Sequence, residues 1–282
     1  MKTNTFIKKA IAIVLTAALG AVSLTGCGKA NADVKDEKLI RVGVCAGPYG
    51  DMFTEAIKPS LEEKGYTIEI TEFSDYVQPN MALADKEIDV NMFQHSTYLK
   101  KFSEEHSLDL QYITEIPTAS MGIFSDKFNS IDEIADGSEV AVPNDDTNYS
   151  RALRVLAQTG VITLSSDIDA SKATVDDIAE NPKNLTFREV SAEILPSVLD
   201  STGIAIINGN YAIGAGLKLD EAIYNEQLGE GYFNVIAVRT EDADSQFAKD
   251  ITEVVHSDRF RSVIEDSTKQ YTAFARPVSY NE

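Results

Sequence analysis

Two periods alternate along this chain, and together they predict its architecture. LIRVGVC (39–45), IDVNMF (88–93), SEVAVP (138–143), GIAIIN (203–208) and FNVIAVR (233–239) are short apolar runs, as expected of strands buried on both faces. YTIEITEF (66–73) alternates apolar and polar positions, the period-2 signature of a half-buried strand. LQYITEI (110–116), ASMGIFS (119–125) and LTFREVS (185–191) are read as further strands, with Pro117 dividing the first two. Between them lie stretches with helical spacing. MFTEAIKPSLEEKG (52–65) stops at Gly65, QPNMALADKE (78–87) is short, STYLKKFSEEH (96–106) follows, and TNYSRALRVLAQTG (147–160) is closed by Gly160. Two more helices are expected after residue 244. Strands and helices in alternation predict an α/β protein with largely parallel sheets.

Open α/β sheets bind ligands outside the carboxyl ends of their strands. Phe93 and His95 fall at the end of IDVNMF, Asn144 to Arg151 after SEVAVP, and Asn208 after GIAIIN, which points to one shared crevice. In VPNDDTNYSRAL, Asp146 or Thr147 is expected to cap a helix with Arg151 in its first turns. Such an arginine can hold a carboxylate bidentately, or can lie on the surface paired with Asp145 or Asp146. Asn208 could accept from a ligand ammonium or serve as an ordinary turn residue. Phe93, His95 and Tyr98 form an aromatic wall with polar tips, suited to a small, partly apolar ligand.

Other chemistries find less support. The chain has three histidines, and His95 and His106 lack the spacing of a metal-binding helix, so no metal site is expected. DIDASKATVDDI (167–178) lacks the Gly and Glu a calcium loop needs. No nucleophile elbow and no dinucleotide or phosphate glycine loop occurs in context, so neither a catalytic residue nor a cofactor is expected. A formal charge of -20 over 282 residues disfavours nucleic acid as a partner.

The N-terminus carries Lys2, Lys8 and Lys9 before the apolar AIAIVLTAALGAV (10–22), the pattern of a secretory signal. Leu24-Thr25-Gly26-Cys27 resembles the bacterial lipobox, which implies cleavage after residue 26 and lipid attachment at Cys27. Cleavage would remove three lysines and no acid, taking the charge from -20 to about -23. Residues 27–37 then read as a lipidated tether holding the chain to the extracytoplasmic face of the cell membrane. Cys45, inside an apolar strand, is expected to be a buried small hydrophobe.

DVNMFQHSTYL, AVPNDDTNYSRAL, AIINGNYAIGAGL and YFNVIAVR resemble, in that order and spacing, the NLPA family of lipoproteins, the substrate-binding proteins of bacterial methionine ABC importers. The resemblance implies a two-lobed periplasmic-binding-protein-like fold of type II, with residues 38–117 plus 234–282 as one lobe and 118–233 as the other. It implies a monomer that closes over an amino acid and hands it to an ABC permease and its ATPase. The family's pocket falls on Tyr76, Phe93, His95, Tyr98, Arg151, Asn208 and Asn234. Arg151 would take the ligand carboxylate, Asn208 and Asn234 would orient ammonium and carboxylate, and the four ring-bearing residues would line the thioether slot. The chain departs from the family at Asp146, where Pro is common, and at Ser150, where Gly is common. Such departures at the rim leave room for another amino acid or a small methionine-containing peptide as ligand. A secreted enzyme on the same fold would need a nucleophile beside His95, and an adhesin or sensor would keep the fold without transport.

Overall fold

The computed structural model describes residues 38–169 and 172–281. The signal segment, Cys27 and the tether of residues 27–37 lie outside the described residues. The first elements are β1 (Leu39–Cys45), α1 (Pro48–Met52), a π turn at Phe53–Ile57 and α2 (Lys58–Glu63). The widened turn has a local cause. Pro59 has no N–H to give to residue 55, and Lys58 instead donates to Phe53 O, one residue further back than in an α-helix. β2 (Thr67–Phe73), α3 (Gln78–Ala84), β3 (Val90–His95), α4 (Ser96–His106) and β4 (Leu110–Ile116) follow.

The chain then builds β5 (Gly122–Phe124), β6 (Glu139–Pro143), α5 (Asp146–Thr159), β7 (Thr163–Leu164), β8 (Ile178–Glu180) and β9 (Thr186–Val190). After these come α6 (Leu195–Val198), β10 (Ile204–Ile207), α7 (Gly209–Gly214), β11 (Tyr224–Asn225) and β12 (Asn234–Arg239). α8 (Gln246–Val255) and α9 (Asp258–Ile264) complete the helices.

Among the described residues, the strands form two five-stranded sheets, β2-β1-β3-β12-β4 and β11-β5-β10-β6-β9, with β7 and β8 paired apart from them. Both larger sheets are mixed, which corrects the expectation of largely parallel sheets. β1 pairs in parallel with β2 and β3, but β12 runs antiparallel to both β3 and β4. In the second sheet β6 is parallel to β9 and β10, and β5 is antiparallel to β10 and β11. The chain leaves the first sheet after β4, builds the second, and returns to insert β12 between β3 and β4. The direction of that return is fixed by connectivity and leaves no mark on the strand's own composition.

The first core packs Val42, Val44, Val90, Met92, Ile236 and Val238 against Met52, Phe53, Ile251 and Phe260. The second packs Val140, Val142, Ile204 and Ile206 under Leu153 and Leu156 of α5, and on the opposite face Ala141, Ala205 and Ile207 meet Leu195 and Tyr211. These strands are covered on both faces, which explains their unbroken apolar runs. Cys45 is fully buried, and its Sγ donates to Asp75 O at 3.1 Å. No described helix is long and apolar enough to cross a membrane.

Candidate functional site

The carboxyl ends of β3, β6 and β10 converge with the start of β12 on one small cavity. It is lined by Tyr76, Phe93, His95, Tyr98, Arg151, Asn208 and Asn234, so the fold brings together every pocket residue the sequence resemblance named. Tyr49, Gln94, Ala119, Asn148, Gly209 and Asn210 complete the lining.

The aromatic side is built from β3 and its neighbours. Tyr76, in the loop between β2 and α3, sits with its ring centroid 5.6 Å from Phe93, 5.8 Å from Tyr98 and 4.8 Å from Tyr211. Its hydroxyl donates to Asn210 Oδ1 at 2.6 Å, joining the first-sheet side of the cavity to the second. Behind this wall Asn80 and Gln94 exchange two amide hydrogen bonds, at 2.8 and 2.6 Å, and Asn91 adds a third to Asn80 Oδ1 at 2.9 Å. Such a satisfied buried network holds the end of β3 in one conformation.

His95 caps α4. Its Nδ1 accepts the backbone N–H of Tyr98 at 3.1 Å, so the neutral ring carries its proton on Nε2, which faces Asn148 Oδ1 at 3.4 Å. Burial, reinforced by the positive charge of Arg151, holds its pKa well below the usual 6.5. Below pH 6.5 the unfolded chain binds a proton that the folded one refuses, so His95 subtracts stability as pH falls from 6.5. Urea melts at pH 7.5 and pH 5 should show a loss from this residue of up to about 1.4 kcal/mol per pH unit, absent in His95→Gln. An identical pH slope in the variant would contradict this burial of His95.

The polar side is carried by α5 and the residues after β10. Asp145, not Asp146 or Thr147 as the sequence led one to expect, caps α5, its Oδ1 accepting from Asn148 N at 2.9 Å. Asp146 points to solvent and pairs with Lys101 of α4 at 2.9 Å, an exposed bridge of small energetic weight. Ser150 is buried, and its Oγ accepts from Ala173 N at 3.0 Å.

Arg151 is neither at the surface nor paired with Asp145 or Asp146. It is buried, and Glu226 grips its Nε and Nη2 edge at 2.9 and 2.6 Å. Glu226 Oε2 also accepts from Met121 N at 3.2 Å. Burial disfavours the guanidinium's charge, but the Glu226 carboxylate outweighs it and raises the pKa above its ordinary value. A guanidinium has two bidentate edges, and Glu226 occupies only the Nε side, so the Nη1–Nη2 edge remains for a second carboxylate. The ring of Tyr232 lies under both Arg151, at 5.3 Å, and Arg154, at 4.5 Å.

Asn208 follows β10 at the start of α7, and its Nδ2 donates to Asn148 Oδ1 at 2.8 Å. Its own Oδ1 is buried with no hydrogen-bond partner. A buried carbonyl without a donor is costly, and Asn208 is one of the residues that line the cavity. Asn234 opens β12, its Nδ2 donating to Phe93 O at 3.0 Å and its N to Thr118 Oγ1 at 2.8 Å. Its side chain is thus partly committed to holding β12 against β3. Among the described residues no three of His, Cys, Asp and Glu gather at metal-binding range.

Sequence reasoning missed Asn148 and Glu226. Asn148 lies inside a quoted motif, three residues before Arg151 and therefore on the same helix face, which was a usable signal. Glu226 is 75 residues from Arg151 in a stretch without a motif, and in a chain with 45 acidic residues nothing local distinguishes it.

Residues 40–276 match the NlpA lipoprotein family. The chain belongs to that family. It is 37% identical to the D-methionine-binding lipoprotein MetQ of Salmonella typhi over 245 residues, which cover 86% of this chain and 89% of that protein. A nutrient-binding protein from Burkholderia cenocepacia, solved with methionine bound, superposes with a TM-score of 0.78 at 36% identity, over 84% of this chain and 99% of that one. A periplasmic substrate-binding protein of an ABC transporter from Coxiella burnetii gives the same TM-score at 35% identity, over 84% and 100% of the two chains. The α/β fold of this NlpA lipoprotein is thus the fold of ABC-transporter substrate-binding proteins.

Proposed function

We propose that this NlpA lipoprotein is anchored by a lipid on Cys27 at the outer face of the cell membrane, captures methionine, and delivers it to an ABC permease driven by its ATPase. The observation that carries the reading is the pairing, in one small cavity, of a buried guanidinium with a free edge and a buried amide carbonyl with no donor. An amino acid supplies what both lack: a carboxylate for Arg151 and an ammonium for Asn208 Oδ1. The rings of Tyr76, Phe93, His95 and Tyr98 offer a thioether favourable sulfur–aromatic contacts. The names of the relatives point the same way.

Capture makes and breaks no covalent bond. The residues of the first sheet, 38–117 with 234–282, act as one lobe and 118–233 as the other, and the ligand joins them as a monomer closes. In this reading the ligand is a free amino acid, with a small methionine-containing peptide as the alternative. A thermal-shift panel of L-methionine, D-methionine, other amino acids and methionine dipeptides tests this choice. Methionine at a hundred times its Kd should raise Tm by about 5–10 °C, and the dipeptides should not. A larger shift with a dipeptide or another amino acid would replace methionine as the ligand.

A further inference from the structure

Asn208 can receive an ammonium only if its carbonyl, and not its NH2, faces the cavity. An asparagine alone has no preference, because the two ends of the amide have nearly the same size and shape. The structure contains a chain of bonds that sets the direction. It begins at Asp145, whose carboxylate can only accept. Asp145 takes Asn148 Nδ2 on both oxygens, at 3.0 and 3.0 Å, besides the backbone N–H that caps α5. The NH2 of Asn148 is thereby committed, and its Oδ1 is turned away from Asp145. That oxygen faces Asn208 Nδ2 at 2.8 Å and the proton-bearing Nε2 of His95 at 3.4 Å. The NH2 of Asn208 is committed in turn, and the Oδ1 of this cavity-lining residue is left buried and without a donor.

We infer that Asn148, held by Asp145, is a positioning residue that fixes the amide of Asn208 with its carbonyl toward the ligand ammonium and so makes the site selective for ligands with a free amine. The inference rests on the reading of the cavity as an amino-acid site. A rotated Asn208 would present NH2 to an ammonium, donor against donor, and the distinction between amine-bearing and amine-free ligands would vanish. Either end of the chain of bonds can be cut. Asn148→Ala removes the acceptor that holds Asn208. Asp145→Ser keeps a helix cap through its hydroxyl but removes the carboxylate that orients Asn148.

The test is a calorimetric comparison of methionine with 4-(methylthio)butanoate, the same molecule with hydrogen in place of the ammonium, on the lipid-free protein. A hydrogen bond to a charged group leads to a preference for methionine on the order of ten- to a hundredfold in the unaltered chain. In Asn148→Ala and in Asp145→Ser the preference should fall below about threefold, and in Asp145→Ser, at a residue outside the cavity lining, affinity for the amine-free ligand should be little changed. That last value also reports whether the Asp145→Ser variant has kept its pocket. An unchanged preference in both variants, or equal losses for both ligands, overturns the inference and leaves the methionine reading standing. If the unaltered chain binds methionine but does not prefer it to the amine-free ligand, the role given to Asn208 fails, and the inference with it. No binding of methionine by the unaltered chain overturns the underlying reading instead.

Discussion

Arg151→Ala is expected to weaken methionine binding at least about thirtyfold and to destabilise the fold by about 3–5 kcal/mol, two losses with different causes. The binding loss comes from the free Nη1–Nη2 edge, since a charged hydrogen bond in a desolvated cleft is worth at least about 2 kcal/mol. The stability loss comes from Glu226. Its side chain is 2% exposed, and without the guanidinium it keeps only the N–H of Met121 as a partner. Charge burial without a counter-ion is the costly case, whereas a neutral amide in the same place is tolerable. The double variant Arg151→Ala/Glu226→Gln should therefore recover most of the lost stability in urea melts and none of the lost affinity. Recovery of both would mean that Arg151 serves only to neutralise Glu226. An affinity in the single variant within about threefold of the unaltered protein would mean that the carboxylate is held elsewhere.

Gly47→Ala should have an effect of comparable size on binding without touching any group assigned to the ligand. Gly47 has φ 118°, a conformation that side chains rarely adopt. A Cβ built there would stand 2.3 Å from the backbone carbonyl oxygen of Asn210 and 2.9 Å from its carbonyl carbon. The clash is with backbone at the start of α7, which cannot rotate out of the way. Around this contact run the bonds that join the two sides of the cavity. Asn210 Nδ2 donates to Ala46 O at 3.1 Å, Tyr76 to Asn210 at 2.6 Å, and Tyr211 to Ser74 O at 3.1 Å. A methyl group at 47 would wedge these apart and hold the two sides of the cavity open. With about 1–3 kcal/mol of backbone strain added, methionine affinity should fall at least tenfold. Small-angle scattering checks the cause: the unaltered chain should contract on adding methionine, and the variant should not. Normal contraction and affinity in Gly47→Ala would show that closure does not use this contact.

The strands and most helices were legible because each carries its own period. STYLKKFSEEH spans the residues of α4, and the apolar runs of β1, β6 and β10 lie where the two-faced burial of their sheets requires. The convergence of these residues was legible because strand ends bring them together: His95 closes β3, Asn208 follows β10, and Arg151 lies in the helix after β6. Long-range geometry was not legible. The antiparallel insertion of β12 depends on where the chain re-enters the first sheet, and the pairing of Arg151 with Glu226 joins residues that no local rule connects. The cap at Asp145 was missed by one position for a smaller reason. Asp145, Asp146 and Thr147 are all good cap residues, and only the backbone angles decide among them.

The most direct test of the central claim is a calorimetric titration of L-methionine into residues 28–282, unfolded and refolded beforehand to strip any ligand carried through purification. The account predicts one site per chain with micromolar or tighter affinity, weakened at least about thirtyfold in Arg151→Ala/Glu226→Gln, the variant whose fold is expected to be sound. No heat with methionine from correctly folded protein, across temperatures that rule out a vanishing enthalpy, would contradict it.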